Sequence, residues 1–131
     1  MNIFKNKIKK PTIRKQPDFD LISRIHKELL LAMFVDKIYQ TKGLTIEGLA
    51  KLLNTNREYL SQIINKNYGT FTTYINKHRI LDSIEMITTP KCKYTIAAIA
   101  NKVGFTSISS FIDAFKKETG TTPSKFKKME K

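Results

Sequence analysis

A single cysteine, Cys92, permits no internal disulfide and no thiolate zinc cage, so the expected setting is reducing and cytosolic. Only five glycines are present, and none form a glycine-rich phosphate loop. Four prolines exclude a collagen-like or proline-rich chain. The most apolar stretch, Leu29 to Val35, ends after seven residues at Asp36 and Lys37. A membrane-spanning helix needs about 20, so this stretch reads as a core helix. Acidic residues number eleven against 24 Lys and Arg, and none falls in residues 1–15, which carry Lys5, Lys7, Lys9, Lys10, Arg14 and Lys15. Without a long apolar segment or a small-residue cleavage site, that run is not an ordinary secretory signal. It reads as a solvated basic tail or as a phosphate-binding arm, with Pro11 and Pro17 marking its junction with the folded part. The two histidines, His26 and His78, lie far apart on helical stretches, and Cys92 has no partner signature. No catalytic residue, metal or cofactor is therefore assigned, and an enzyme is not expected.

What is present fits a folded binder of polyanions. The formal charge is +13, while 40% of the residues are hydrophobic and eight are Phe. At 131 residues the chain holds one domain, or two very small units sharing a core.

The apolar spacing is helical throughout. Leu21, Ile22, Ile25, Leu29, Ala32, Met33 and Val35–Ile38 recur three and four apart, predicting one long helix that Gly43 stops. Thr45 then caps a short helix bearing Leu49, Ala50 and Leu53, and Asn54-Thr55-Asn56 supplies a turn. Leu60, Ile63 and Ile64 mark a third helix ending at Asn67-Tyr68-Gly69. A fourth, of about 18 residues, begins at Thr70; Phe71, Tyr74, Ile75, His78, Ile80, Leu81, Ile84 and Ile87 can face a core, and Thr89-Pro90 stops it. The short-helix pattern then recurs about fifty residues on. Thr95 caps Ile96, Ile99, Ala100 and Val103; Gly104 ends that helix, and Ser107 caps the next, with Phe111, Ala114 and Phe115 on its apolar face. Thr122-Pro123 opens a final short helix. The expected fold is all-α, with about seven helices and two helix-turn-helix units, about 44–69 and 95–128, joined by a linker helix over about 70–89. The basic tail covers 1–17.

The run Thr95-Ile96-Ala97-Ala98-Ile99-Ala100-Asn101-Lys102-Val103-Gly104-Phe105-Thr106-Ser107-Ile108-Ser109-Ser110-Phe111, continued by Ala114-Phe115-Lys116-Lys117 and Gly120-Thr121-Thr122-Pro123-Ser124, resembles the signature of AraC/XylS-type transcription regulators. Leu44–Gly69 fits that family's more variable first unit, and the likeness covers roughly residues 20–128. It implies two recognition helices bridged by a central helix. At 1.5 Å per residue that helix spans about 27 Å, comparable with its flanking turns to the roughly 34 Å between successive major-groove faces on one side of a duplex.

Carried across position by position, the resemblance aims Arg57, Glu58, Ser61, Gln62 and Asn65 of the first recognition helix at bases or nearby phosphates. Gln and Asn can pair with adenine, Arg with guanine or phosphate, and Glu with the cytosine amino group. The second outward face is Ile108, Ser109, Ile112, Asp113 and Lys116. Asp113 stands where the family often has Arg, so it accepts from cytosine, pairs with a neighbouring lysine, or marks a helix that reads little sequence. Ile108 and Ile112 either touch thymine methyls or are partly buried. Phosphate contacts fall to Lys66, Arg79, Lys93, Lys116 and Lys117, aided by the helix N-termini at Thr45, Thr95 and Ser107. For any single lysine, a solvated surface charge is the competing reading. Phe105, Phe111, Phe115 and Phe126 are assigned to the core, because aromatic wedges belong mainly to minor-groove binders.

The expected partners are double-stranded DNA and RNA polymerase, with no membrane and no small-molecule effector. Standing alone, the chain would act as a cytoplasmic, nucleoid-associated monomer controlled by its abundance. The competing function is a helical protein-interaction module that keeps the fold and binds DNA only weakly or non-specifically.

Overall fold

The computed structural model describes residues 19–129, so the basic segment 1–17 lies outside the described residues. Among these residues seven α-helices follow one another: α1 Phe19–Phe34, α2 Ile46–Leu52, α3 Arg57–Asn67, α4 Phe71–Thr88, α5 Ile96–Val103, α6 Ile108–Thr119 and α7 Pro123–Met129. A single 3-10 turn, Ile38–Gln40, separates α1 from α2. There is no strand among the described residues, and no helix there is long and apolar enough to cross a membrane.

Five helices begin at a short polar side chain that accepts a hydrogen bond from the backbone three residues on. Thr45 takes Gly48 N–H, Asn56 takes Tyr59, Thr70 takes Thr73, Thr95 takes Ala98 and Ser107 takes Ser110. Each such cap satisfies a free amide and is worth about 1 kcal/mol. α7 begins in the same way, with Thr122 Oγ1 accepting from Lys125 N–H (3.2 Å), and adds Pro123, whose missing N–H costs nothing at a first helical position.

The buried side chains form two separate cores. The first joins Ile25, Leu29 and Met33 of α1 to Leu49, Leu60, Ile63, Ile64, Tyr74 and Ile75. The second joins Ile80 and Ile87 to Ile99, Val103, Phe105, Phe111 and Phe115. Helix α4 therefore serves the first core with its N-terminal half and the second with its C-terminal half.

Two apolar expectations are corrected. The first helix stops at Phe34, well before Gly43: Val35 N–H and Asp36 N–H both donate to Leu31 O (2.9 and 3.1 Å), and Lys37 takes a left-handed φ of 50°. Residues 37–42 thus leave the helix as a strap across α4. Val35, expected in the core, is 69% exposed, and Phe34 and Leu31 are exposed beside it in sequence. On α4, Leu81 points outward while Asp82 and Ser83 are buried. Ser83 Oγ donates to Ile80 O within its own helix (2.7 Å), and Asp82 finds its donors on the strap. Those partners make burial of two polar groups tolerable.

His78 is half-buried among the rings of Phe34, Tyr39 and Tyr74, with centroids 5.1, 5.6 and 5.0 Å away. Burial, then the charge of Lys77, lowers its pKa below the ordinary histidine value. The unfolded chain therefore binds this proton more readily than the native state. Stability from the neutral ring is complete above the unfolded pKa of about 6.5 and is lost as pH falls from there through the lower folded value. Urea midpoints should drop between pH 7.5 and 5.5, and His78→Phe should flatten that drop. An equally steep profile in the variant would assign the effect to other groups.

Candidate nucleic-acid interface

The two short helix pairs repeat at the level of single positions. In α3 the exposed residues Arg57, Glu58, Gln62 and Asn65, with half-buried Ser61, lie opposite buried Leu60, Ile63 and Ile64. In α6 exposed Ile108, Ser109, Asp113 and Lys116, with half-buried Ile112, lie opposite buried Phe111, Ala114 and Phe115. Every outward residue of α3 corresponds to one of α6 at a constant offset of 51, from Arg57 and Ile108 to Asn65 and Lys116. The turns repeat too. Thr55 N–H donates to Ala50 O (2.9 Å) and Phe105 N–H to Ala100 O (3.0 Å), each closing over a left-handed residue, Asn54 or Gly104. That closure satisfies carbonyls at the helix end and swings the next helix sharply away.

The chemistry of the two outward faces differs. On α3, Asn65 Nδ2 donates to Ser61 Oγ (3.1 Å), and Arg57 Nε pairs with Glu47 Oε2 of α2 at 3.0 Å. Both partners of that pair are 65% exposed, so it is weak and can yield to a competing anion. On α6, Ile108 is 47% exposed and Ile112 half-buried. Asp113 is exposed and makes no ion pair among the described residues.

Among the expected phosphate contacts, Lys66, Lys93 and Lys117 are exposed. The hydroxyls of Thr45, Thr95 and Ser107 are engaged as caps, and Ser107 Oγ also donates to Ser110 Oγ (3.0 Å). Their helix starts still present further first-turn N–H groups. Arg79 has a different position from the one expected. Its Nε donates to Tyr39 O (2.7 Å) and Nη2 to Thr41 O (3.1 Å), and the guanidinium lies over the Phe105 ring at 5.4 Å. Burial lowers its pKa, yet an arginine stays charged. The cation is directed at the strap between the two units.

Two contributors escape sequence reasoning. Arg24 of α1 reaches Leu53 O (3.4 Å) and Asn54 O (3.3 Å), bracing the turn before α3, and Glu47 holds Arg57. Arg24 lies about thirty residues from its carbonyls. Glu47 and Arg57 sit on different helices, so no spacing rule within one helix links them.

A helix-turn-helix domain family matches residues 49–129. The bifunctional transcriptional activator/DNA repair enzyme AdaA of Bacillus subtilis is 33% identical over 124 residues, covering 93% of this chain and 54% of that protein. The Msm operon regulatory protein of Streptococcus mutans is 38% identical over 87 residues, 66% of this chain and 31% of that protein. The chain thus spans about half the length of the first relative and about a third of the second. Among solved structures, the DNA-binding domain of the global transcriptional factor AdpA, in complex with a target DNA, superposes with a TM-score of 0.67 over 81% of this chain and 91% of that one. At 15% identity that likeness speaks to the fold alone.

Proposed function

The chain belongs to the AraC-type family of helix-turn-helix domains, and we propose that it is a sequence-specific DNA-binding transcription regulator that inserts α3 and α6 into successive major-groove segments. The observation that carries this reading is the repeat of the outward register, 57, 58, 61, 62 and 65 on α3 and 108, 109, 112, 113 and 116 on α6, on helices that follow turns closed by the same hydrogen bond, the second turn one residue longer. Two helices of one chain presented in the same manner suit two half-sites about one helical turn apart.

On α3, Gln62 and Asn65 suit adenine, Arg57 guanine or phosphate, Glu58 a cytosine amino group, and Ser61 is permissive. On α6, Ile108 and Ile112 offer methyl groups to thymine, Ser109 is permissive, Lys116 reaches guanine or phosphate, and Asp113 accepts from cytosine. Lys66, Lys93 and Lys117, with the helix starts at Thr45, Thr95 and Ser107, grip the backbone. The domains in this assignment are the unit about 44–69, the linker helix about 70–89 and the unit about 95–128, with the basic segment 1–17 adding non-specific attraction. DNA binding by a single chain needs no second copy. Regulation brings in RNA polymerase as the further partner, and the cytoplasm, at the nucleoid, as the place. We assign no turnover to this part of the chain.

Selection from random duplexes tests the proposal. The expected outcome is two preferred blocks within a site of about 15–20 base pairs, with preference over a scrambled duplex persisting at physiological salt. Affinity that ignores sequence and collapses as salt rises would be phosphate attraction alone and would overturn it in favour of a protein-interaction module. At the selected site, Gln62→Ala is expected to cost about 1–3 kcal/mol and to relax selectivity at one base pair of one block. Unchanged selectivity there removes Gln62 from the reading set.

A further inference from the structure

The two cores share no buried residue. A continuous helix, α4, joins them and sets their separation, but one rod is a poor constraint on angle because helices bend and twist. A second attachment off the helix axis is what fixes an orientation, and the strap 37–42 supplies one.

Along the strap, successive residues are tied to α4 and to the second unit. Asp82 Oδ2 of α4 accepts from Tyr39 Oη (3.1 Å) and from Gln40 Nε2 (2.7 Å). Arg79 of α4 takes the carbonyls of Tyr39 and Thr41. Lys42 Nζ donates to Asn101 Oδ1 of α5. The turn of the second unit presses on the same backbone: a Cβ on Gly104 would stand 2.5 Å from Tyr39 O and 3.0 Å from Gln40 Cα. Beside these ties the seam opens into a cavity of about 200 Å³ bordered by Gly43, Leu44, Asn76, Phe105 and Ser110. Burial, then the Asp82 carboxylate, raises the pKa of Tyr39, so its hydroxyl remains a donor at neutral pH.

We propose that the strap is a clasp that fixes the angle between the two helix-turn-helix units and so sets the half-site spacing the protein accepts, with Asp82, Tyr39 and Gln40 as positioning residues away from the reading faces. This rests on the bipartite reading of DNA given above. The physical link is geometric. One inserted base pair turns a half-site by about 35° and moves it about 3.4 Å, and a rigidly clasped pair of readers cannot follow without deforming the duplex.

The test uses the full chain on its selected site and on duplexes with one base pair added or removed between the blocks. The wild type is expected to lose about tenfold or more in affinity at the wrong spacings. In Asp82→Ala and Gln40→Ala that ratio should shrink to about threefold or less, while Asp82→Asn, whose amide oxygen still accepts, should restore most of it. Gln40 is exposed, so its variant tests the clasp even where Asp82→Ala folds poorly. Spin labels at Lys51 and Glu118 in a Cys92→Ser background report the same coupling without DNA, with a narrow distance distribution that broadens in the variants. Variants that lose affinity equally at every spacing and keep the narrow distribution overturn the clasp while leaving bipartite reading intact. A wild type that selects one block overturns bipartite reading itself, and the clasp with it.

Discussion

Phe111→Ala is expected to destabilise the protein by about 3–5 kcal/mol and to erase the DNA block read by α6 while sparing the block read by α3. Phe111 has no exposed surface. Its ring contacts Phe105 and Phe115 at 5.3 and 5.7 Å between centroids, and Phe115 in turn contacts Phe126 of α7 at 5.4 Å. Truncation at the head of that chain leaves a cavity that rigid helices cannot close. Total stabilities of domains run to about 5–15 kcal/mol, so the loss is a large share. It falls on one core only, because Leu60, Ile63 and Ile64 of α3 pack in the other. Urea denaturation should show an early transition, and footprinting on the selected site should show one block protected. Simultaneous loss of both blocks at temperatures where α1 to α3 remain folded would mean that the halves are not separable.

Gly104→Ala is expected to cost about 3 kcal/mol, from left-handed strain of about 1–3 kcal/mol and overpacking of similar size. At φ 111° an L side chain is already disfavoured. The added Cβ would also meet backbone, Tyr39 O at 2.5 Å, and the Arg79 Nε at 2.8 Å, neither of which can withdraw without breaking their mutual hydrogen bond. Gly120 separates the two causes, since its φ is 83° and nothing lies within 4 Å of its would-be Cβ. Gly120→Ala should therefore show the conformational cost alone. Equal shifts in urea midpoint for the two variants would mean that the strap is not in contact in solution. The same comparison explains Asn54, which holds the equivalent turn of the first unit at φ 56°. An asparagine tolerates that conformation.

Much of this architecture is legible along the chain, and for local reasons. Thr45, Asn56, Thr70, Thr95 and Ser107 bond to amides three residues away, so a helix start is visible within four letters. The core positions of α3 and α6 follow from apolar residues three and four apart, and the run from Thr95 to Ser124 carries the family likeness. Where local reasoning failed, it failed on the same kind of residue. Val35 and Leu81 are apolar and in helical phase, yet exposed, while Asp82 is charged and buried. Periodicity says which residues share a face but not which faces find partners.

Helix content, helix limits to within a residue or two after α1 and the repeat of two units follow from interactions a few residues long, which is why letters alone suffice for them, whereas the outward registers 57–65 and 108–116 are carried by the family resemblance. The strap over α4, the inward turn of Arg79 and the burial of Asp82 rest on partners about forty residues apart. Such contacts exist once the two cores have formed and brought α4, the strap and the Gly104 turn together. The relation of one reading helix to the other is accordingly a property of the packed molecule, while the chemistry each helix presents is written in its own residues.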